Sequence, residues 1–170
     1  EYRGRKPQFA AYGVSADEAR RFGLPCGGEL EVIVEPDVEV AQVEALLAAP
    51  DVATPLGLRD RAMLELMYAS GLRVSELVGL KTVHVGLSEG ALRVTGKGAK
   101  ERLVPFGEEA HAWLRRYLAQ ARAAILGGQA SDALFVTARG GPMTRQMFWK
   151  LIKAHASRAG IAVPLSPHTL

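Results

Sequence analysis

The chain has 170 residues, 48% of them hydrophobic and 23% charged, with a formal net charge of +3. That is enough to bury one core with an appendage, and no apolar run of about 18 residues and no leader pattern points to a membrane span or an export address. The single Cys26 excludes an internal disulfide and suits a reducing compartment, so a cytoplasmic protein is expected. The charge is uneven: residues 1–54 carry five basic and ten acidic side chains, residues 55–170 sixteen and eight. A basic block of that size favours a polyanion, nucleic acid first.

In chain order, Ser15 with Glu18 three residues on predicts a short helix over Ser15 to Phe22. A Gly/Pro turn follows from Gly23, and ELEVIV, rich in strand formers, predicts a strand. Beyond Pro36, VEVAQVEALLAAP places Val40, Val43 and Leu47 on one helical face, and Pro50 and Pro55 bracket a loop. LRDRAMLELMYASG, from Leu58, predicts a helix stopped by Gly71, with a second short helix in RVSELVGL. ALRVTGKGAKERLVPF is two alternating strand runs about a Gly-Lys-Gly-Ala-Lys turn, a β-hairpin pattern. HAWLRRYLAQARAAIL sets Leu114, Tyr117, Leu118, Ala121 and Ile125 at helical spacing. TRQMFWKLIKAHASRAG opens on a Thr144 cap, turns Met147, Phe148, Leu151 and Ile152 inward, and closes on Gly160. There is no internal repeat or low-complexity tract, and the expected fold class is α+β, mainly α, with one small antiparallel sheet.

Three stretches carry residues suited to chemistry. In GLRVSEL, Arg73 stands at a helix start, where free N–H groups already favour an anion and a guanidinium adds a bidentate phosphate grip; Glu76 is placed to orient it. A plain surface Arg–Glu pair is the competing reading, and such a pair is worth little. In TGKGAKER, Lys97 sits at a hairpin tip, able to reach a phosphate or protonate a leaving oxygen; a solvated turn lysine is the alternative. In LSPHTL, His168 follows a proline at a helix start and can face an anion. His84, His111 and His155 read as surface or packing residues, and none of the four histidines has metal-ligand spacing.

Taken in fixed order, LRDRAMLELMYASGLRVSELVGL, GKGAKERLVPFGEEA, MTRQMFWKLIKAHA and LSPHTL resemble the catalytic domain of a tyrosine site-specific recombinase of the XerD-type phage integrase family, starting near Val40. The resemblance implies a tyrosine that attacks a DNA phosphate, making a 3′-phosphotyrosine and freeing a 5′-hydroxyl, assisted by two arginines, a lysine and one or two histidines. Developing charge on phosphorus needs fixed cations, and the leaving oxygen needs a proton. Arg73 resembles the first arginine, Lys97 the general acid of the hairpin, and His168 the first residue of the family's His-x-x-Arg motif. Glu76 resembles the acidic residue that supports the first arginine. Lys100, Arg102, Thr144, Arg145 and Gln146 resemble DNA contacts. The implied partners are double-stranded DNA and other recombinase subunits, with no membrane and with no metal or organic cofactor.

The sequence ends one residue before the arginine of His-x-x-Arg would fall, and Tyr2, Tyr12, Tyr68 and Tyr117 match no nucleophile position. The domain is therefore expected to be C-terminally incomplete, unable by itself to cleave DNA, and to expose apolar faces of MFWKLIKAHA. Tyr68 is expected to be packed and Tyr117 to lie on an apolar face. Residues 1–36 fit a different pattern: GVSADEARRFGLPCGGELEVIVEP resembles part of an XdhC-type accessory protein of molybdenum hydroxylases, with Cys26 read as an inert turn cysteine or, alternatively, a cofactor contact. The expected organisation is a short helix-strand segment over 1–36 and a truncated recombinase catalytic domain over 37–170, joined by natural fusion, by engineering or by a joining artefact. Two other functions stay open, a non-catalytic DNA-binding or interaction module and a molybdenum cofactor accessory fragment.

Overall fold

The structure is a computed structural model that describes residues 8–13, 29–34, 40–95 and 101–162. The expected Ser15–Phe22 helix, the Gly23 turn with Cys26, the Gly-Lys-Gly-Ala-Lys turn and LSPHTL lie outside these residues. The chain divides into two compact units, Glu1–Glu39 and Val40–Leu170. In the first, β1 (Gln8–Gly13) pairs antiparallel with β2 (Glu29–Val34), from Gln8↔Val34 to Gly13↔Glu29. β2 is the expected ELEVIV strand. β1 has no counterpart in the sequence reading, because QFAAYG is short of strand formers at its centre and shows no alternation.

The second unit is mainly helical: α1 (Val40–Ala48), α2 (Pro55–Ser70), α3 (Val74–Val78), a 3-10 turn (Thr82–His84), strands β3 (Val85–Gly86), β4 (Ala91–Thr95) and β5 (Glu101–Pro105), then α4 (Glu108–Gln120), α5 (Arg122–Leu126) and α6 (Arg145–Arg158). The three strands form one antiparallel sheet in the order β3-β4-β5. No helix among the described residues is long and apolar enough to cross a membrane.

α2 is the central element, with every residue from Gly57 to Met67 buried except Arg61. It begins three residues earlier than the sequence predicts. Thr54 caps it by accepting from the Gly57 N–H at 3.1 Å, and Pro55 is its first residue rather than the end of a loop. Proline suits that position because the N–H it lacks has no partner there anyway. Gly57 admits the preceding loop: a Cβ on it would stand 1.9 Å from the Asp51 carbonyl oxygen. Gly71 ends the helix in the left-handed region, φ 59°, its N–H bonded to the Met67 carbonyl at 3.0 Å.

α4 packs along α2 and buries Ala110, Leu114 and Tyr117. The Tyr117 ring stacks on Phe135 with centroids 5.5 Å apart, and its hydroxyl donates to the Leu134 carbonyl at 2.9 Å. The predicted continuous helix is two: Ala121, at φ −116°, separates α4 from α5, and Arg122 turns back to donate to the carbonyls of Ser131 and Ala133 at 2.8 and 2.7 Å. On α1 the buried pair is Leu46 and Leu47, while Val40, the first helical residue, is exposed. Tyr68, expected to be packed, is 55% exposed. α6 buries Phe148, Ile152, His155 and Ala156, and Leu151 packs half-buried against the core as expected; Met147 is instead exposed, and with Leu151 it lines an apolar groove of about 360 Å³ shared with Leu56, Ala138 and Met143.

Burial pushes the Tyr117 phenol from its ordinary 10.0 up to about 12. A phenol raised in the folded state adds stability that is complete below the ordinary value and is lost as pH rises toward the folded one. Absorbance titration should therefore show one tyrosine ionising near 12, with stability falling between about 10 and 12, and Tyr117→Phe, read by urea melts, should cost about 1 kcal/mol or less, because the Leu134 carbonyl keeps Arg122 Nε as a second donor at 3.2 Å.

Candidate functional site

The site forms where α2 ends. The Gly71 cap reverses the chain, Leu72 enters the core, and Arg73, extended at φ −66° and ψ 147°, becomes the N-cap of α3. An arginine has no acceptor with which to cap a helix. Glu76 reaches back instead, its Oε2 accepting from the Arg73 N–H at 2.9 Å. The Arg73 side chain is 79% exposed, and its Nη1 stands 3.5 Å from Glu76 Oε1, while the Glu76 side chain is only 9% exposed.

The hairpin brings in the second cation. β4 and β5 pair from Ala91↔Pro105 to Thr95↔Glu101, with Val94 opposite Arg102. Side chains of an opposed pair share a face, so Arg102 lies on the face that buries Leu92 and Val94. There it donates a bidentate fork to Glu76, Nη1 to Oε1 and Nη2 to Oε2, both at 3.0 Å. This fork is the main force holding the Glu76 carboxyl below the usual carboxylate range, against a smaller opposing effect of burial; the Arg73 N–H and guanidinium act in the same direction as the fork.

The other expected site residues, catalytic and DNA-contacting, therefore fall into three groups. Arg102 is committed to Glu76 rather than free. Thr144, Arg145 and Gln146 are exposed at the start of α6, where Thr144 Oγ1 accepts from the Met147 N–H at 3.2 Å, so its oxygen also serves as the helix cap. α6 packs on α3, which puts these residues and Arg73 on neighbouring elements. Lys97, Lys100 and His168 lie outside the described residues; the first two belong to the segment 96–100 that joins Thr95 to Glu101.

Two nearby residues escaped the sequence reading. A cleft of about 260 Å³ beside Glu76 is lined by Ser75, His84, Arg93 and Thr95 among others. Its His84 Nδ1 accepts from the Lys81 N–H at 3.1 Å. Arg93 alternates with the buried Leu92 and Val94, and that alternation alone marks it as outward-facing. Among the described residues no group of three His, Cys, Asp or Glu could hold a metal ion.

The phage integrase family profile matches residues 37–170. The tyrosine recombinase XerD of Ralstonia nicotianae is 72% identical over 131 residues, covering 76% of this chain and 42% of that protein. Among solved structures, XerA recombinase superposes with a TM-score of 0.65 at 25% identity over 78% of this chain and 46% of its own. A XerH site-specific recombinase bound to its difH substrate superposes at 0.64 and 21% identity over 78% of this chain and 39% of its own, a likeness of fold. The chain thus spans less than half the length of these relatives. The match starts at residue 37, so the XdhC-type resemblance of residues 1–36 rests on the sequence alone.

The lowered Glu76 carboxyl contributes stability that is complete above its ordinary value of 4.5 and is lost as pH falls through its folded value. Glu76→Ala removes both the fork acceptor and the α3 cap and should cost about 1–2 kcal/mol in urea melts at neutral pH. The loss should shrink as pH falls below the ordinary value, where the wild type loses the same carboxylate. Equal losses at pH 7 and at acid pH would contradict this account of Glu76.

Proposed function

This chain belongs to the phage integrase family, and from that premise we propose that residues 37–170 are the DNA-binding part of a site-specific tyrosine recombinase catalytic domain. The observation that carries the reading is Arg73, a guanidinium anchored through its own backbone to Glu76 yet mostly exposed. Its place in LRDRAMLELMYASGLRVSELVGL is that of the family's first arginine. In this role it grips the scissile phosphate, where a planar cation meets two non-bridging oxygens and offsets the charge that grows on them in phosphoryl transfer.

Lys97, carried by the hairpin, protonates the departing 5′-oxygen, and His168 assists at the phosphate. Glu76 keeps Arg73 in place. Lys100 contacts the DNA backbone, and Thr144, Arg145 and Gln146 meet it from the start of α6, Arg and Gln having the donors for phosphates and base edges. For the full reaction a tyrosine hydroxyl attacks phosphorus, a tyrosyl–phosphate bond forms, the bond to the 5′-oxygen breaks, and the proton goes to that oxygen. Tyr117 is unsuited to this attack, being buried with its hydroxyl given to the Leu134 carbonyl. The partner is double-stranded DNA, with further recombinase subunits on the same duplex; what supports this is that fold neighbours are solved as a XerH recombinase bound to its difH substrate and a lambda integrase dimer bound to a core site.

The test is fluorescence anisotropy on a labelled duplex. The chain should bind with a Kd on the order of 10⁻⁶ to 10⁻⁴ M at physiological salt, weakening linearly in log–log terms as salt rises. Arg73→Ala should lower that slope by about 0.9, the share of one phosphate contact. Binding indifferent to salt, or to this substitution, would refute the assignment.

A further inference from the structure

Glu76 is shared unequally. Arg102 takes both of its oxygens at 3.0 Å, whereas Arg73 reaches the carboxylate with its backbone N–H at 2.9 Å and with its guanidinium only at 3.5 Å. The exposures run the same way, 44% for the Arg102 side chain and 79% for Arg73. A carboxylate already held in a fork has little attraction left for a second cation. The fork also raises the proton affinity of Arg102 while lowering that of Glu76, as a formed ion pair should. Without Arg102, the largely sheltered carboxylate would be left with Arg73 three residues away, at a spacing where helix side chains meet. The first arginine would then be folded down onto its own helix.

We propose that Arg102 is a positioning residue that occupies Glu76, so that the Arg73 guanidinium stays free for a DNA phosphate, and that the same fork pins β5 to α3. This extends the DNA-binding assignment above and replaces the direct phosphate contact that the sequence suggests for Arg102. The fork fixes the outer end of the strand pair, where Arg102 stands one residue beyond Glu101, the first paired residue after the 96–100 segment.

Anisotropy on a random-sequence duplex tests this with five variants: Arg73→Ala, Arg102→Ala, the two together, Glu76→Gln, and Arg102→Ala with Glu76→Gln. Either arginine substitution alone should weaken binding about tenfold, and the pair should be within about twofold of Arg73→Ala alone, because both report one contact. Glutamine still accepts from the Arg73 N–H but cannot capture its guanidinium. Glu76→Gln should therefore restore most of the affinity lost in Arg102→Ala, a gain specific to that background. Additive losses, or an equal gain from Glu76→Gln in both backgrounds, would make Arg102 a direct phosphate contact and overturn the proposal.

A DNA-free arm separates this from the underlying reading. Phenylglyoxal labelling of Arg73, read by peptide mass spectrometry, should slow in Arg102→Ala and recover when Glu76→Gln is added. An unchanged rate overturns the positioning role. If the wild type shows no affinity for duplex DNA, the DNA-binding reading fails and the labelling rate alone decides the role of Arg102. Where Arg102→Ala does not fold, Arg102→Gln takes its place in both arms, with the same expected and overturning results.

Discussion

Helix α2 is buried on nearly every side, and that constraint organises the rest of the second unit. A helix enclosed all round must find a packing partner on each face, and α1, α3, α4 and α5 supply them. Its apolar residues Leu58, Ala62, Met63, Leu66 and Met67 pose no difficulty. Its charged ones do, since a buried ion without a partner costs several kcal/mol. Asp60 solves this by dividing its oxygens: Oδ1 accepts from Arg59 Nε and Nη2 at 2.8 and 2.6 Å, and Oδ2 meets His155 Nε2 at 3.0 Å. Arg59 gives its remaining reach to the Val136 carbonyl at 2.9 Å. One buried chain thus joins α2, the segment before α6, and α6 itself.

The placement of Arg73 follows from the same helix. Because α2 ends at a left-handed glycine, the chain leaves the core at once and delivers an arginine to solvent two residues later. Period-two alternation then puts Arg102 on the sheet face that carries Leu92 and Val94, where it reaches Glu76 of the short helix. Neither event needs the other. They meet at Glu76, where a helix-derived cation and a strand-derived cation share one carboxylate, and the difference in their distances separates an available guanidinium from an engaged one.

What could be read in the sequence follows the range of the interactions. Local signals were legible: Gly71 as a helix stop, the Thr144 cap, the strands β4 and β5, and Arg73 with Glu76 three residues on. Pro55 was misread because a proline signals both a loop and the first turn of a helix, and only the Thr54 hydroxyl decides between them. Ala121 carries no breaker signal, so the α4–α5 interruption was hidden. His155 reads in the sequence as a surface or packing residue, and its partner Asp60 lies 95 positions away, beyond any periodicity. The engagement of Arg102 by Glu76 is likewise a contact across 26 positions, invisible until the hairpin is folded onto α3.

The two ion-paired systems differ in their access to solvent. Arg59, Asp60 and His155 are buried, out of reach of mobile ions, whereas the Arg73 guanidinium stands in water and is screened over a Debye length of about 8 Å at physiological ionic strength. Added salt thus acts on the outer cations and leaves the internal tether untouched. Ionic strength is therefore a setting that weakens the outer charges alone, with α2 and α6 still fastened together through Asp60 and His155.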